Sequence, residues 1–261
     1  MNRILLSMAL CTAVVSAQDW ARAKVDKSPR HREWVTVTHG GRKVETFVAY
    51  PASTTNTPVI VVIHEIFGMS DWVENVTDEF AAAGYIAIAP DLLSGMAPNG
   101  GRTPDFPQGG VGPAIGKLPP EQITADLNAV ADYGLKLPSA AKKLFVAGFC
   151  YGGSQTFRFA TNRSDLAAAM VFYGGPPDKD GMARIKAPVF GFYGGTDQRI
   201  GATVPGTITD MKELGKIYEP VTYEGAAHGF MRAGEQPDPT PANAKAREEA
   251  WARIKKIMSS H

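Results

Sequence analysis

The sequence predicts an α/β protein with a mostly parallel central sheet, helices on both of its faces, and an antiparallel hairpin at its N-terminal end. Three observations carry this. Short uninterrupted runs such as Val59-Ile-Val-Val-Ile63 and Tyr85-Ile-Ala-Ile-Ala89 have the β-branched, apolar composition of strands buried on both faces. Stretches with helical spacing alternate with those runs, which is the pattern of parallel strands joined by helical crossovers. Ahead of them, Glu33–Thr38 and Arg42–Tyr50 alternate apolar and polar residues around His39-Gly40-Gly41, as a hairpin does.

Taken in order, the first seventeen residues stand apart. Asn2-Arg3 is a small positive region, Ile4 to Val15 is an apolar stretch of twelve residues, and Val15-Ser16-Ala17 ends in small residues. This is the layout of a secretory signal peptide cut after Ala17, and twelve apolar residues are too few to span a bilayer. The expectation is a secreted or periplasmic protein whose residues 18–261 make one α/β domain. Removing residues 1–17 also removes Cys11 and leaves Cys150 as the sole cysteine, so no internal disulfide forms.

Residues 18–33 read as a polar, irregular lead-in. Beyond the hairpin and the Val59–Ile63 strand, Asp71-Trp-Val-Glu74 has the form of a capping box. Val73, Val76, Phe80 and Ala83 then share one helical face. Gly84 closes that helix before the Tyr85–Ala89 strand. A helix over Pro119–Lys136 leads to the Leu144–Ala147 strand and the helix after it. Leu166–Tyr173 and Ala187–Tyr193 are further strands. Thr207–Tyr218 reads as a helix, Glu219–Tyr223 as a short strand and Pro241–Met258 as the closing helix. Residues 92–118 are rich in glycine and proline and read as a long loop leaving a strand's C-terminal end, the side where α/β sheets bind ligands; a lid or specificity loop is the expectation.

The chain of 261 residues has 27 basic and 26 acidic side chains without long runs of one sign, which gives no footprint of nucleic acid or of a membrane surface. A small-molecule or protein ligand remains. Gly110-Val-Gly-Pro-Ala-Ile-Gly-Lys-Leu118 lacks the first glycine and the final Ser or Thr of a phosphate loop, so no nucleotide or other cofactor is assigned.

The chemistry gathers on Gly148-Phe-Cys-Tyr-Gly-Gly153. It follows a strand, precedes a helix, and has the form of a nucleophile elbow with cysteine in place of serine. The helix N-terminus behind such a turn favours a thiolate and offers N–H groups to an oxyanion. A glycine-flanked cysteine in an ordinary turn is the bland alternative, and its partners decide between the two. A nucleophile needs a base, and the base an orienting acid. His228 in Gly225-Ala-Ala-His-Gly-Phe230 and Asp197 in Tyr193-Gly-Gly-Thr-Asp197 each follow a strand. The order Cys150, Asp197, His228 is that of the α/β-hydrolase fold. Its oxyanion hole takes an N–H from Tyr151, the residue after the nucleophile, and one from the His64-Glu65-Ile66-Phe67-Gly68 loop, here Ile66. His64-Glu65 does not open a zinc motif, because Gly68 stands where the second histidine is required, and no metal is assigned.

His64-Glu-Ile-Phe-Gly68, Ala89-Pro-Asp-Leu92, Gly148-Phe-Cys-Tyr-Gly-Gly153, Gly194-Gly-Thr-Asp197 and His228-Gly-Phe230 together resemble the dienelactone hydrolase family from about Trp34 to the C-terminus. The resemblance implies hydrolysis of a small-molecule ester or lactone by a Cys150–His228–Asp197 triad through a thioester. It also implies that Glu65 contacts the cysteine and keeps the thiol neutral until a ligand moves one of them. Arg232 matches one of two family arginines that hold a substrate carboxylate. The other falls near Gly95, where there is none, and Arg102 substitutes only if the loop folds back. Tyr173 matches a pocket residue. The competing reading is a non-catalytic or redox-sensing binding protein on a hydrolase scaffold.

Overall fold

In the computed structural model residues 18–52 and 55–261 are described; the expected signal peptide lies outside them. The elements run α1 (Asp19–Lys27), β1 (Arg32–His39), β2 (Arg42–Ala49), β3 (Thr57–Ile63), α2 (Asp71–Ala82), β4 (Ile86–Pro90), α3 (Val111–Ile115) and α4 (Pro120–Leu135). Next come β5 (Ala140–Phe149), α5 (Tyr151–Asn162), β6 (Leu166–Phe172), α6 (Lys179–Arg184) and β7 (Val189–Gly194). The chain closes with α7 (Gln198–Gly201), α8 (Val204–Glu213), β8 (Tyr218–Tyr223), α9 (Phe230–Ala233) and α10 (Pro241–Ser260).

The sheet has eight strands in the order β1-β2-β4-β3-β5-β6-β7-β8. β4, β3 and β5 to β8 run parallel, while β2 is antiparallel to both β1 and β4, so the N-terminal hairpin extends one end of a parallel sheet. The apolar runs fill the middle: every residue from Val59 to Ile63 and from Ile86 to Ala89 is fully buried. Their side chains alternate between two apolar layers, Ile60 and Val62 facing one and Val59, Val61 and Ile63 the other. This gives the doubly covered α/β architecture expected from the sequence. No helix among the described residues is long and apolar enough to cross a membrane.

Four local expectations are corrected. Residues 19–27 are helical, because Ala21 and Val25, one turn apart, bury against the body of the protein and supply the packing that local polarity concealed. Asp71 lies inside α2 rather than capping it. Ser70 is the N-cap and makes no side-chain cap bond, while the Gln18 Oε1 accepts the Trp72 N–H at 3.0 Å from the neighbouring segment. Residues 92–118 are not without structure: short 3₁₀ turns at Pro98–Gly100 and Thr103–Asp105 precede α3, and Leu92, Leu93, Ala114, Ile115 and Leu118 are buried in one apolar layer. The segment is pinned at its root, where the buried Asp91 carboxylate accepts the Leu93 and Thr103 N–H groups and the Thr103 hydroxyl. Helix α8 starts and stops earlier than its sequence span, and Gly215 at φ +64° turns the chain into β8.

Candidate active site

Strand β5 delivers Cys150 into a backbone conformation that L-residues avoid, φ 57° and ψ −113°, at the N-cap of α5. Two glycines make this turn possible. A Cβ on Gly148 would lie 2.2 Å from the Gly152 carbonyl oxygen, and one on Gly152 would lie 2.2 Å from the Ile63 oxygen and 2.5 Å from that of His64. The elbow is thus pressed, backbone to backbone, against the loop that follows β3. Its strain persists because the Cys150 N–H is tied to the Phe172 carbonyl and the Cys150 carbonyl to the Ser154 N–H.

The two other predicted triad members arrive from the ends of β7 and β8. Asp197 Oδ1 accepts the Ile200 N–H and caps α7, which leaves Oδ2 to bind His228 Nδ1 at 2.5 Å. The carboxylate therefore fixes Nδ1 as the protonated nitrogen and leaves Nε2 free to act as a base. Cys150 faces this imidazole and is the largest cause raising the His228 pKa above its ordinary value; partial burial opposes it and Asp197 adds to it. Tyr173 closes the back of the site edge-on to His228, with ring centroids 5.0 Å apart. It sits at φ +40°, is fully buried, and its hydroxyl has no partner among the described residues.

The loop after β3 forms the opposite wall. Gly68 N–H and the His64 ring both bind the Glu65 carbonyl, while the Ile66 and Tyr151 N–H groups have no backbone acceptor among the described residues. Ile66 and Phe67, exposed at 42% and 49%, stand on the rim. Glu65 is 1% exposed, and its Oε2 accepts Arg232 Nε at 2.8 Å. Burial raises the Glu65 pKa, and Arg232 and His228 work against that rise. The hydrogen-bond partner of the Glu65 carboxylate among the described residues is Arg232. The Arg232 guanidinium also lies 5.2 Å from the centre of the Phe67 ring.

Arg102 is placed elsewhere. Its guanidinium stacks 3.9 Å from the centre of the Trp34 ring on β1, near the hairpin end of the sheet. The arginine closest to Gly95 is Arg42 on β2, whose Nη1 would come within 3.9 Å of a Cβ there. It is committed to Asp126 and to the Ser94 and Leu92 carbonyls, and so supports the root of the long segment. His64, which the sequence places in the oxyanion loop without a role for its side chain, turns its ring onto the Glu65 carbonyl.

A protein-family model described as "Dienelactone hydrolase family" matches residues 44–261. A Salmonella typhimurium protein named "Putative carboxymethylenebutenolidase" is 31% identical over 228 residues, 82% of this chain and 82% of that one. One of the same name from Saccharolobus solfataricus is 28% identical, over 84% of this chain and 94% of the relative. Among solved structures, one described as a "Putative Dienelactone Hydrolase" from Klebsiella pneumoniae superposes with a TM-score of 0.79 at 24% identity, covering 90% of this chain and all of that one. A metagenomic dienelactone hydrolase-like phosphotriesterase does so with 0.74 at 20%, covering 88% and 98%. At those identities the structures speak for the fold alone. Fold, family model and curated relatives agree that this is a hydrolase of the α/β class. The chain belongs to the dienelactone hydrolase family.

Proposed function

We propose that this protein hydrolyses carboxylic esters or lactones through a thioester on Cys150. The observation that carries the reading is His228, set between the Asp197 carboxylate at 2.5 Å and a cysteine in a strained elbow. His228 Nε2 takes the Sγ proton as the sulfur attacks the acyl carbon. The N–H groups of Ile66 and Tyr151 hold the oxygen that becomes negative. His228 then gives its proton to the departing alkoxide, which in a lactone stays attached to the acyl chain. In the second half His228 takes a proton from water, the hydroxide adds to the thioester, and collapse returns the thiol and releases the acid.

Arg232 supplies a site for a substrate carboxylate, with Glu65 as the occupant that such a carboxylate displaces. Displacement from Arg232 would free the buried Glu65 carboxylate of its counter-charge, so that the charge held in the site depends on the ligand. Tyr173 lines the site beside His228. Arg102, stacked on Trp34, would contact only a substrate long enough to reach the hairpin end of the sheet.

The test is to incubate the protein with activated aryl esters and enol lactones and to look for an acyl adduct by mass spectrometry. An adduct on Cys150, and loss of turnover in a folded Cys150→Ala variant, are the expected results. Intact, folded protein that shows neither adduct nor turnover would sink the reading.

A further inference from the structure

The oxyanion loop contains a histidine that the reaction above does not use. His64 is completely buried, and both of its ring nitrogens are engaged by backbone: Nδ1 lies 2.8 Å from the Glu65 carbonyl oxygen, and the Leu92 N–H points at Nε2 from 3.4 Å. A carbonyl only accepts and an N–H only donates, so these partners select one tautomer, with the proton on Nδ1 and the lone pair on Nε2. Burial lowers the His64 pKa and favours this neutral form, against the pull of Asp91. The ring also lies nearly parallel to that of Tyr151, 18° between planes with centroids 6.3 Å apart.

The bond to Glu65 has a geometric consequence. A trans peptide points its C=O and N–H in opposite directions, so whatever holds the Glu65 carbonyl also aims the Ile66 N–H. Two donors hold that carbonyl, the His64 Nδ1–H and the Gly68 N–H at 3.1 Å. The second belongs to a tight turn, its buried Gly68 following directly on the exposed Ile66 and Phe67. The first comes from a buried ring bounded by Leu92 and Tyr151. Without it the peptide rests on the turn alone, and rotating the plane would put a carbonyl where the oxyanion needs a donor.

We propose that His64 is a positioning residue for the oxyanion hole: by donating Nδ1–H to the Glu65 carbonyl it turns the Glu65–Ile66 peptide so that the Ile66 N–H faces the acyl oxygen. The proposal rests on the ester-hydrolase reading and adds to it the device that preorganises one of the two donors. It also ties the long segment to catalysis, because the Leu92 N–H at its root fixes the ring's tautomer.

The experiment compares wild type, His64→Leu and His64→Asn on an activated aryl ester. Cys150 alkylation by iodoacetamide and inhibition by a substrate-like aldehyde, whose thiohemiacetal presents an oxyanion, are measured in parallel. His64→Leu is expected to lower kcat by about 10- to 100-fold, below the full loss of a donor, with KM little changed. Aldehyde inhibition should weaken in step while alkylation keeps its rate. His64→Asn, whose amide N–H reaches toward the same carbonyl, recovers much of the loss. Wild-type kcat in His64→Leu overturns the proposal, and so does alkylation that falls along with kcat, which would place the damage at Cys150 and His228. If His64→Leu does not fold, nitrogen-15 NMR of the wild-type histidines decides: a proton on Nδ1 of His64 supports the assignment and one on Nε2 overturns it. A wild type without ester turnover overturns the hydrolase reading instead, whatever the tautomer.

Discussion

The Glu65 carboxylate and the Arg232 guanidinium, separated by 167 positions in sequence, meet at 2.8 Å. Glu65 is shut away from water and Arg232 is partly open to it, so the arginine is the member of the pair that an incoming anion meets first. Replacing Arg232 with alanine should therefore act selectively. KM for a lactone that carries a carboxylate should rise by about 10- to 100-fold, the worth of one charged hydrogen bond. KM for a neutral aryl acetate should stay near its wild-type value. Steady-state kinetics on the two substrates checks this; an equal loss on both would assign Arg232 to structure rather than recognition.

His228 owes its raised pKa first to Cys150 and then to Asp197. As a base it works only when neutral, so activity should climb as pH rises through a value above the ordinary 6.5. In Cys150→Ala the principal cause is gone, and the His228 titration followed by NMR should move to lower pH than in wild type. Asp197→Asn should move it down as well and cut kcat by about 10²-fold or more, because the amide no longer secures the productive tautomer.

Tyr173 carries a fully buried hydroxyl with no partner among the described residues, and its ring lies against that of His228. An unsatisfied buried polar group costs about 1–3 kcal/mol, so Tyr173→Phe should leave the fold as stable as wild type or more so. If ligand entry opens the hydroxyl to the substrate, KM should rise in the same variant. Urea denaturation and kinetics on one preparation read both outcomes.

Away from the site, Arg247 on α10 bridges two carboxylates, Glu79 on α2 and Glu235 after α9. Glu235 is nearly buried and also accepts from Trp72, Asn75 and Lys24, so this cluster fastens α1, α2 and α10 to the turn that carries Arg232. Arg247→Leu leaves Glu235 without a main counter-charge and should cost on the order of 3 kcal/mol. The midpoint of urea unfolding measures it, and Lys245→Ala, at an exposed pair on the same helix, should change little.

The candidate site was legible because each of its three residues is announced locally. Cys150 sits between glycines that a tight elbow requires, and Asp197 and His228 lie in small-residue loops directly after apolar strands. The helix at Asp19–Lys27 was not legible, since its stabilisation comes from two buried residues against a distant surface. If a leader is removed after Ala17, N-terminal sequencing of the mature chain should begin at Gln18, the residue that accepts the Trp72 N–H.

Sequence by itself determined the alternation of strands and helices, the parallel core, the elbow and the order of its partners, because apolar periodicity and turn chemistry are properties of neighbouring residues. Tertiary structure alone decided that Arg232 binds Glu65, that Arg102 stacks on Trp34, and that His64 shares its ring between Glu65 and Leu92. Those choices depend on which long side chain reaches which buried partner once the sheet has brought distant segments together. Hydrogen-bond geometry settles them over a few tenths of an ångström, a scale that the order of residues does not encode.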